Sequence, residues 1–394
     1  MASAADVVIV GGGVFGVAGA LELARRGGKV TLLEPGPLPH PDAASTDITK
    51  LIRLDYANDD HYTAAMEAAL PLWRRWNAEV FEVPLFHETG VLVLSSTPLG
   101  PGSFEGDSFS ALSARGHPLE RLDAAAIPRR FPRWAAGRYV EGYYNPQGGF
   151  AESGRVVAAL AAEARRAGVD LREGVRARPF EGDAAVSEVV LESGERVAAG
   201  TVVVAAGAFT PVLIPELADR LAVVGQPVFH FDPGDLAPFA SPAFVPWAAD
   251  IGRSGWYGFA SHAGVVKVAN HGVGTPLHPS GPRQVGDDAE PMFRAFLRES
   301  LPSLADARRV ATRLCLYCDS FDGDFFIDRH PSRPGLVVAA GGSGHAFKFA
   351  PLLGGWLADA ALDVASRDNA RFRFRERGHA AREAARHAPV PAQS

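Results

Sequence analysis

Residues 7–34 fix the first step of the fold. Val7-Val8-Ile9-Val10 is a continuous β-branched run, the pattern of a strand buried on both faces. Gly11-Gly12-Gly13-Val14-Phe15-Gly16 follows, then an Ala/Leu/Arg segment that predicts a helix from about Val17 to Arg26, ended by Gly27-Gly28. Lys29-Val30-Thr31-Leu32-Leu33 supplies the next strand, and Glu34 stands at its end. Together these segments form a βαβ unit. Gly11, Gly13 and Gly16 match G-x-G-x-x-G. The first glycine permits the tight turn, the second lets the backbone approach a pyrophosphate, and the third lets helix pack on strand. Val14 and Phe15 lie at the helix entrance, where unpaired N–H groups and the positive dipole end face an anion. A carboxylate at Glu34 can accept hydrogen bonds from both ribose hydroxyls and disfavours a 2′-phosphate. A dinucleotide site follows, but this unit alone does not say which dinucleotide.

The whole 394-residue chain is long enough for two or three structural units. A proline-rich loop (Pro35 to Pro41) leads to Ser45–Arg53, and a helix is expected from about His61 to Ala78. Val91–Leu94 reads as a strand. Residues 95–117, rich in Ser, Gly and Pro, read as a loop or short insertion. A helix is expected over Val156–Ala167, and a small β-meander over Leu171–Arg178 and Val186–Leu191. Val202–Ala205, ending in Ala206-Gly207, and Leu336–Ala340, ending in Gly341-Gly342, are buried parallel-type strands. Between Arg220 and Tyr317 the pattern changes to aromatic-rich strands and turns, with one helix near Met292–Arg298, and a last helix spans about Pro351–Ala365. This alternation predicts a discontinuous nucleotide domain (1–85, 150–215 and 325–380), an inserted, mostly antiparallel substrate domain (86–149 and 216–324), and a tail (381–394).

Charge and cysteine usage narrow the function classes. The formal net charge is −6, so no global basic field recruits nucleic acid or an anionic membrane. The run Arg371-Phe372-Arg373-Phe374-Arg375 reads as a solvated helix or tail. No apolar run approaches the roughly 20 residues that span a bilayer, and no basic region precedes the first apolar run, so a cytoplasmic protein is expected. The two cysteines, Cys315 and Cys318, lack the helix N-terminus of a redox motif and a second pair of metal ligands, and no metal site is expected.

Chemistry concentrates in three later segments. If 313–317 is a strand, Arg313, Cys315 and Tyr317 share one face, and a guanidinium beside a thiol favours the thiolate. In Val265-Val266-Lys267-Val268-Ala269-Asn270-His271 a lysine interrupts an apolar run, and Lys267 and His271 project from one strand face. Burying that charge costs free energy unless something uses it, whereas an edge-strand lysine only deters aggregation. Gly342-Ser343-Gly344-His345-Ala346-Phe347-Lys348-Phe349 turns into a helix whose N-terminus faces the same region.

Leu314–Tyr317, Phe326–Pro331 and Gly342–Phe349 closely resemble the C-terminal signature of the sarcosine oxidase and fructosyl-amino-acid oxidase family, which also includes pipecolate oxidases, within the D-amino-acid oxidase superfamily. The likeness covers most of the chain and is strongest in 6–56, 255–271 and 313–354. It implies an α/β fold in which a discontinuous, glutathione-reductase-type FAD domain carries an inserted antiparallel substrate domain. It implies FAD, joined to Cys315 by a thioether. FAD contacts are implied at Gly11, Gly13, Val14, Phe15, Gly16 and Glu34. Further contacts are implied at Ser45, Lys50, Ala177, Ala206 and Gly207, and at Gly342, Gly344, His345 and Lys348.

By the same resemblance Lys267 activates O2, since an ammonium stabilises superoxide. Lys348 binds the substrate carboxylate, with His345 lining the pocket, and His271 also matches. Lys50 and Arg53 match a basic pair near the flavin, and Arg53 can grip a carboxylate bidentately. Sarcosine oxidases have Arg where Lys50 stands, so Lys50 resembles the fructosyl-amino-acid oxidases. Tyr257 and Tyr317 match pocket tyrosines. The implied activity is oxidation of the secondary amine of an N-methyl, N-alkyl or N-glycated amino acid by O2, giving an imine and H2O2, in a monomer acting on small molecules. Two alternatives stay open: desaturation of a cyclic imino acid in a biosynthetic route, and a dehydrogenase that passes electrons to a partner or quinone.

Overall fold

The strand Ala5–Val10 lies at the centre of a largely parallel sheet because both its faces are apolar. The computed structural model describes residues 5–366 and 369–377, so the expected tail 381–394 lies outside the described residues. The sheet runs Phe326–Arg329, Leu336–Ala340, Arg196–Val204, Ala5–Val10, Val30–Glu34, Asp170–Glu173, with Phe326–Arg329 antiparallel at one edge. Segments far apart in sequence therefore close one sheet. The helices Val14–Arg25, Ser153–Arg166 and Ala350–Ala361 pack together, and their apolar faces join the buried core over one side of this sheet.

A second, nine-stranded sheet takes strands from 91–145 and 221–320 among the described residues. Its pairings are antiparallel except where Trp247–Ala249 meets Val91–Ser95. The long pair Leu221–Asp232 and Arg308–Ser320 forms its spine, and Val266–Asn270 lies between Leu221–Asp232 and Trp256–Gly258. Behind this sheet the helix Ala289–Ser300 presses Phe293, Phe296 and Leu297 into an aromatic core with Trp247 and Trp256. A short sheet, Lys50–Ile52 with Gly149–Ala151 and Phe86–His87, completes the described strands.

Three expectations are corrected. The 95–117 stretch is not all loop: Phe104–Ala114 is a helix. Ser103 caps it by accepting the Gly106 N–H at 3.1 Å, and Glu105 and Asp107 suit the positive end of its dipole. The expected β-meander does not form. Asp170–Glu173 pairs in parallel with Val30–Glu34 at the sheet edge, whereas Glu188–Val190 pairs with the outer part of Arg196–Val204. The basic run near the C-terminus is not a solvated tail. Arg371 pairs with Asp59 and Asp324, Arg375 pairs with Asp322, and Phe372 is buried. Alternating Arg and Phe there lets the chain seal an acidic loop while burying aromatic surface.

Candidate active site

A cavity of about 400 Å³ runs along the carboxyl ends of the parallel strands, where such folds hold nucleotides. Gly11, Gly13, Val14 and Phe15 form one wall. Glu34, Ser45 and Lys50 extend it, Ala177, Ala206 and Gly207 flank it, and Tyr317, Cys318, Gly342 and Gly344 close the far end. Gly16 lies beneath the turn instead: a Cβ there would stand 1.8 Å from the Gly11 carbonyl oxygen. Gly11 has φ +109°, and a Cβ on it would meet the Ala205 carbonyl at 2.5 Å. At Gly13 the nearest protein atom to an added Cβ is Ser45 Oγ at 3.5 Å, so the space in front of this glycine is cavity.

The N-cap residue of the helix Val14–Arg25 is Gly13, which has no side chain to cap it. The Val14 N–H donates to Ser45 Oγ at 3.2 Å. Glu34 is buried, and its carboxylate accepts the Gly12 N–H at 2.6 Å. Burial pushes its pKa up, and the Gly12 bond opposes that. A glycine-floored cradle, a glycine-capped helix N-terminus and a buried carboxylate in one elongated cavity fit a dinucleotide such as FAD.

Lys267 is 1% exposed and sits in mid-sheet, so it is not an edge-strand lysine. Its Nζ lies 2.5 Å from Asp47 Oδ2 and donates to the Thr49 carbonyl at 2.6 Å. Its ammonium also sits over the Phe259 ring. Burial lowers the Lys267 pKa to about 8, against the pull of Asp47. Burial works against the Asp47 carboxylate too, but Lys267, His230 and Lys50 outweigh it and hold that group far below the ordinary range.

Replacing Asp47 with asparagine strands the Lys267 charge. Unfolding free energy should fall by about 3–5 kcal/mol near neutral pH, read from the denaturant midpoint at an unchanged slope. In the variant the folded state holds Lys267 neutral while the unfolded lysine stays protonated up to a pKa of about 10.4. The unfolded state then binds more protons, so the deficit should narrow as pH rises to about 8, above which Lys267 is neutral in the wild type as well.

Lys348 is buried in the turn Ala346–Phe349. Its Nζ donates to the Tyr56 hydroxyl at 2.8 Å and to the His345 carbonyl at 2.9 Å. Tyr56 in turn meets His345 Nδ1 at 3.0 Å, and His345 Nε2 meets the Gly323 carbonyl at 3.0 Å. Tyr62, Phe325 and Phe349 wrap this group in aromatic surface. Arg53 is 6% exposed and packs against two rings, Tyr56 at 5.1 Å and Phe104 at 5.2 Å. His271 lies one residue past its strand, buried, with its ring 5.8 Å from Tyr317. Tyr317 crosses Gly344 so closely that a Cβ there would meet its ring at 2.2 Å. Tyr257 is half-buried and joins two apolar clusters, one with Phe104 and one with Cys315 and Tyr317.

The two cysteines face different surroundings, as strand alternation requires. Cys315 is buried, with its Sγ 4.0 Å from the Ala44 carbonyl and close enough to feel Lys267 and Arg283 electrostatically. Cys318, and not Cys315, is among the residues that line the cavity; it also packs in the apolar cluster of the parallel sheet, where burial pushes its thiol up to about 11. Arg313 donates to the carbonyls of Pro41 and Ala43, which ties the Cys315 strand to the loop lining the cavity.

Sequence reasoning missed Asp47, Tyr56, His230 and Phe104. Asp47 and Tyr56 stand three residues before Lys50 and three after Arg53, close enough to have been suspected. Nothing local marks His230 or Phe104, whose roles depend on strand pairing and on an unpredicted helix.

Fold and cavity thus define a dinucleotide-binding oxidoreductase. The family model of FAD dependent oxidoreductases matches residues 6–360, and the chain belongs to that family. Monomeric sarcosine oxidase of Bacillus sp. (strain B-0618) is 28% identical over 366 residues, covering 91% of this chain and 92% of that protein. N-methyl-L-tryptophan oxidase of Salmonella arizonae is 30% identical, covering 91% and 95%. Among solved structures, the deglycating fructosamine oxidase (Amadoriase II) of Aspergillus fumigatus superimposes with a TM-score of 0.81 at 25% identity, covering 95% of this chain and 90% of that one. NikD, an amino acid oxidase of nikkomycin biosynthesis, superimposes with a TM-score of 0.79 at 26% identity, covering 95% and 100%. No helix among the described residues is long and apolar enough to cross a membrane.

Proposed function

We propose that this chain oxidises the secondary amine of an amino acid and hands the electrons to O2, giving an imine and H2O2. The observation that carries the reading is the buried Lys348, held by Tyr56 and His345 beside the cavity end formed by Gly342, Gly344 and Phe347. The carboxylate of an amino acid is an anion that such an ammonium can bind by a charge-assisted hydrogen bond. Arg53, backed by two aromatic rings, is a second anchor within the same cluster. The aromatic wall of Tyr56, Tyr62, Phe325 and Phe349 excludes water, which strengthens both charge contacts. With its carboxylate fixed there, the substrate points its amine towards the cavity.

FAD, when bound, accepts two electrons from the C–N unit and returns them to O2. Gly11, Gly13 and the glycine-capped helix suit its pyrophosphate and Glu34 its ribose. Lys267 holds a positive charge in a dry site, the arrangement that stabilises a developing oxygen anion. That burial favours an oxidase over a dehydrogenase using a partner protein. Cys315, among positive neighbours, is the better candidate for a thioether to the flavin, since burial keeps Cys318 protonated.

Peroxide release across N-methyl, cyclic and fructosyl amino acids tests the activity. Turnover of at least one such secondary amine is expected, and turnover confined to primary amines or hydroxy acids would remove the reading. After acid precipitation the yellow colour should stay with the wild-type chain and pass to the supernatant for Cys315→Ala. Colour that stays with both, or with neither, would refute attachment at Cys315.

A further inference from the structure

We infer that Phe104 is a plug that sets the upper size of the substrate's side chain and holds this enzyme to small amino acids such as N-methylglycine and N-methyl-L-alanine. The inference rests on the secondary-amine reading above, with Arg53 and Lys348 as carboxylate anchors. A second cavity, of about 500 Å³, lies between the 97–103 loop, the first turn of the helix Phe104–Ala114 and the turn at Gly252 and Arg253. That is room enough for a small ligand or a large side chain. Phe104 is the one aromatic ring among its lining residues. The same ring lies 5.2 Å from the guanidinium carbon of Arg53. Ala57, also in the lining, follows Tyr56, whose hydroxyl accepts from Lys348 at 2.8 Å. A single ring therefore stands between this cavity and the cations proposed to hold the carboxylate.

The ring is held in place from several sides. Phe104 is 7% exposed and packs with Ala57, Ala248, Ile251 and Tyr257. The Arg53 cation against its ring adds attraction that a displaced ring would lose. Its backbone is pinned as well. Ser103, just before it, donates to the Gly100 carbonyl at 2.9 Å and accepts the Gly106 N–H at 3.1 Å. Glu105, just after it, is buried and accepts the Gly252 N–H at 3.4 Å. One turn along the helix, Ser108 accepts the Ala57 N–H at 2.8 Å, which ties the helix to the chain that carries Arg53 and Tyr56.

The consequence for the substrate is steric. A carboxylate held by Arg53 brings the substrate's α-carbon within reach of the Phe104 ring, so a large group on that carbon competes with the ring for space. A hydrogen or a methyl group makes no such demand. A benzyl or indolylmethyl group must displace a packed ring, and a close-packed wall yields only at a cost in strain. Removing the ring joins the anchor cluster to the second cavity, which then receives the large side chain.

The test is kcat/KM of the holoenzyme, wild type and Phe104→Ala, for N-methylglycine, N-methyl-L-alanine, N-methyl-L-phenylalanine and N-methyl-L-tryptophan. In the wild type the first two should exceed the last two by roughly 10²-fold. In the variant the two aromatic substrates should gain at least about tenfold. N-methylglycine should lose activity, because Arg53 has lost a ring behind it. A site that is merely damaged gives losses only, so the gain is the decisive readout. Aromatic substrates that lose activity in parallel with the small ones would overturn the plug, and so would a wild type that takes N-methyl-L-tryptophan as readily as N-methyl-L-alanine. If Phe104→Ala does not fold, Phe104→Leu should give a smaller gain of the same sign, and no gain there overturns the plug. Wild type that oxidises no secondary amine would remove the functional reading and the plug with it. Wild type that oxidises the small amines, beside a variant that loses all four in parallel, removes the plug alone.

Discussion

Lys267→Met should slow the reaction of the amine-reduced enzyme with O2 by roughly 10²–10³-fold while leaving reduction by the amine within a few-fold of wild type. The expectation follows from position. Lys267 is fully buried in mid-sheet, with Asp47, the Thr49 carbonyl and the Phe259 ring around its ammonium. Lys348 and Arg53, the proposed carboxylate anchors, belong to a different cluster. Deleting one charge should therefore separate the half-reactions. Methionine also leaves the buried Asp47 with only His230 and Lys50 beside it, at a cost of up to about 3–5 kcal/mol. The double variant Asp47→Asn/Lys267→Met removes both charges. It should regain much of the lost stability but none of the O2 reactivity. Equal slowing of both half-reactions would refute the assignment of Lys267.

Gly16→Ala should yield protein without yellow colour. The added methyl would stand 1.8 Å from the Gly11 carbonyl oxygen, and that neighbour is backbone with no rotamer to move. Helix and strand must separate, at a cost of about 3 kcal/mol, and the turn that cradles the pyrophosphate opens. Gly13→Ala is the instructive contrast. Its methyl meets no protein atom closer than Ser45 Oγ at 3.5 Å, so the chain should fold with near-normal stability. The methyl occupies cofactor space instead, so FAD affinity should drop. Thermal melting of the flavin-free proteins and FAD titration separate the two effects. Normal FAD content in Gly16→Ala would mean that the close helix–strand approach does not matter to the cradle.

The parts of this molecule that were legible in the sequence are those whose cause is local. The turn from Gly11 to Gly16 and the carboxylate of Glu34 sit within one βαβ unit, so spacing alone exposes them. Lys267 stood out because an ammonium in Val-Val-Lys-Val-Ala calls for a reason wherever it folds. Its counter-ion did not, because Asp47 arrives from 220 residues earlier and looks in sequence like an ordinary loop aspartate. The link from Tyr56 to His345 spans 289 residues. The helix Phe104–Ala114 was hidden by its Gly and Ser content, although Ser103 followed by two acidic residues is a start signal. Missing it hid the Phe104 ring under Arg53. The Arg371–Arg375 run was misread because its acidic partners, Asp59, Asp322 and Asp324, lie in two loops that only the fold brings together.

The proposed activity depends on the buried Lys348 ammonium anchoring the carboxylate of a secondary-amine substrate beside FAD. The most direct measurement is the anaerobic bleaching of the bound flavin by an N-methyl amino acid, set beside its methyl ester and its unmethylated parent. Rapid bleaching by the N-methyl amino acid, with the ester and the parent at least about 10²-fold slower, is the predicted result. Bleaching by ester and acid at similar rates would contradict the carboxylate anchor at Lys348. Faster bleaching by the primary amine would contradict the substrate class itself.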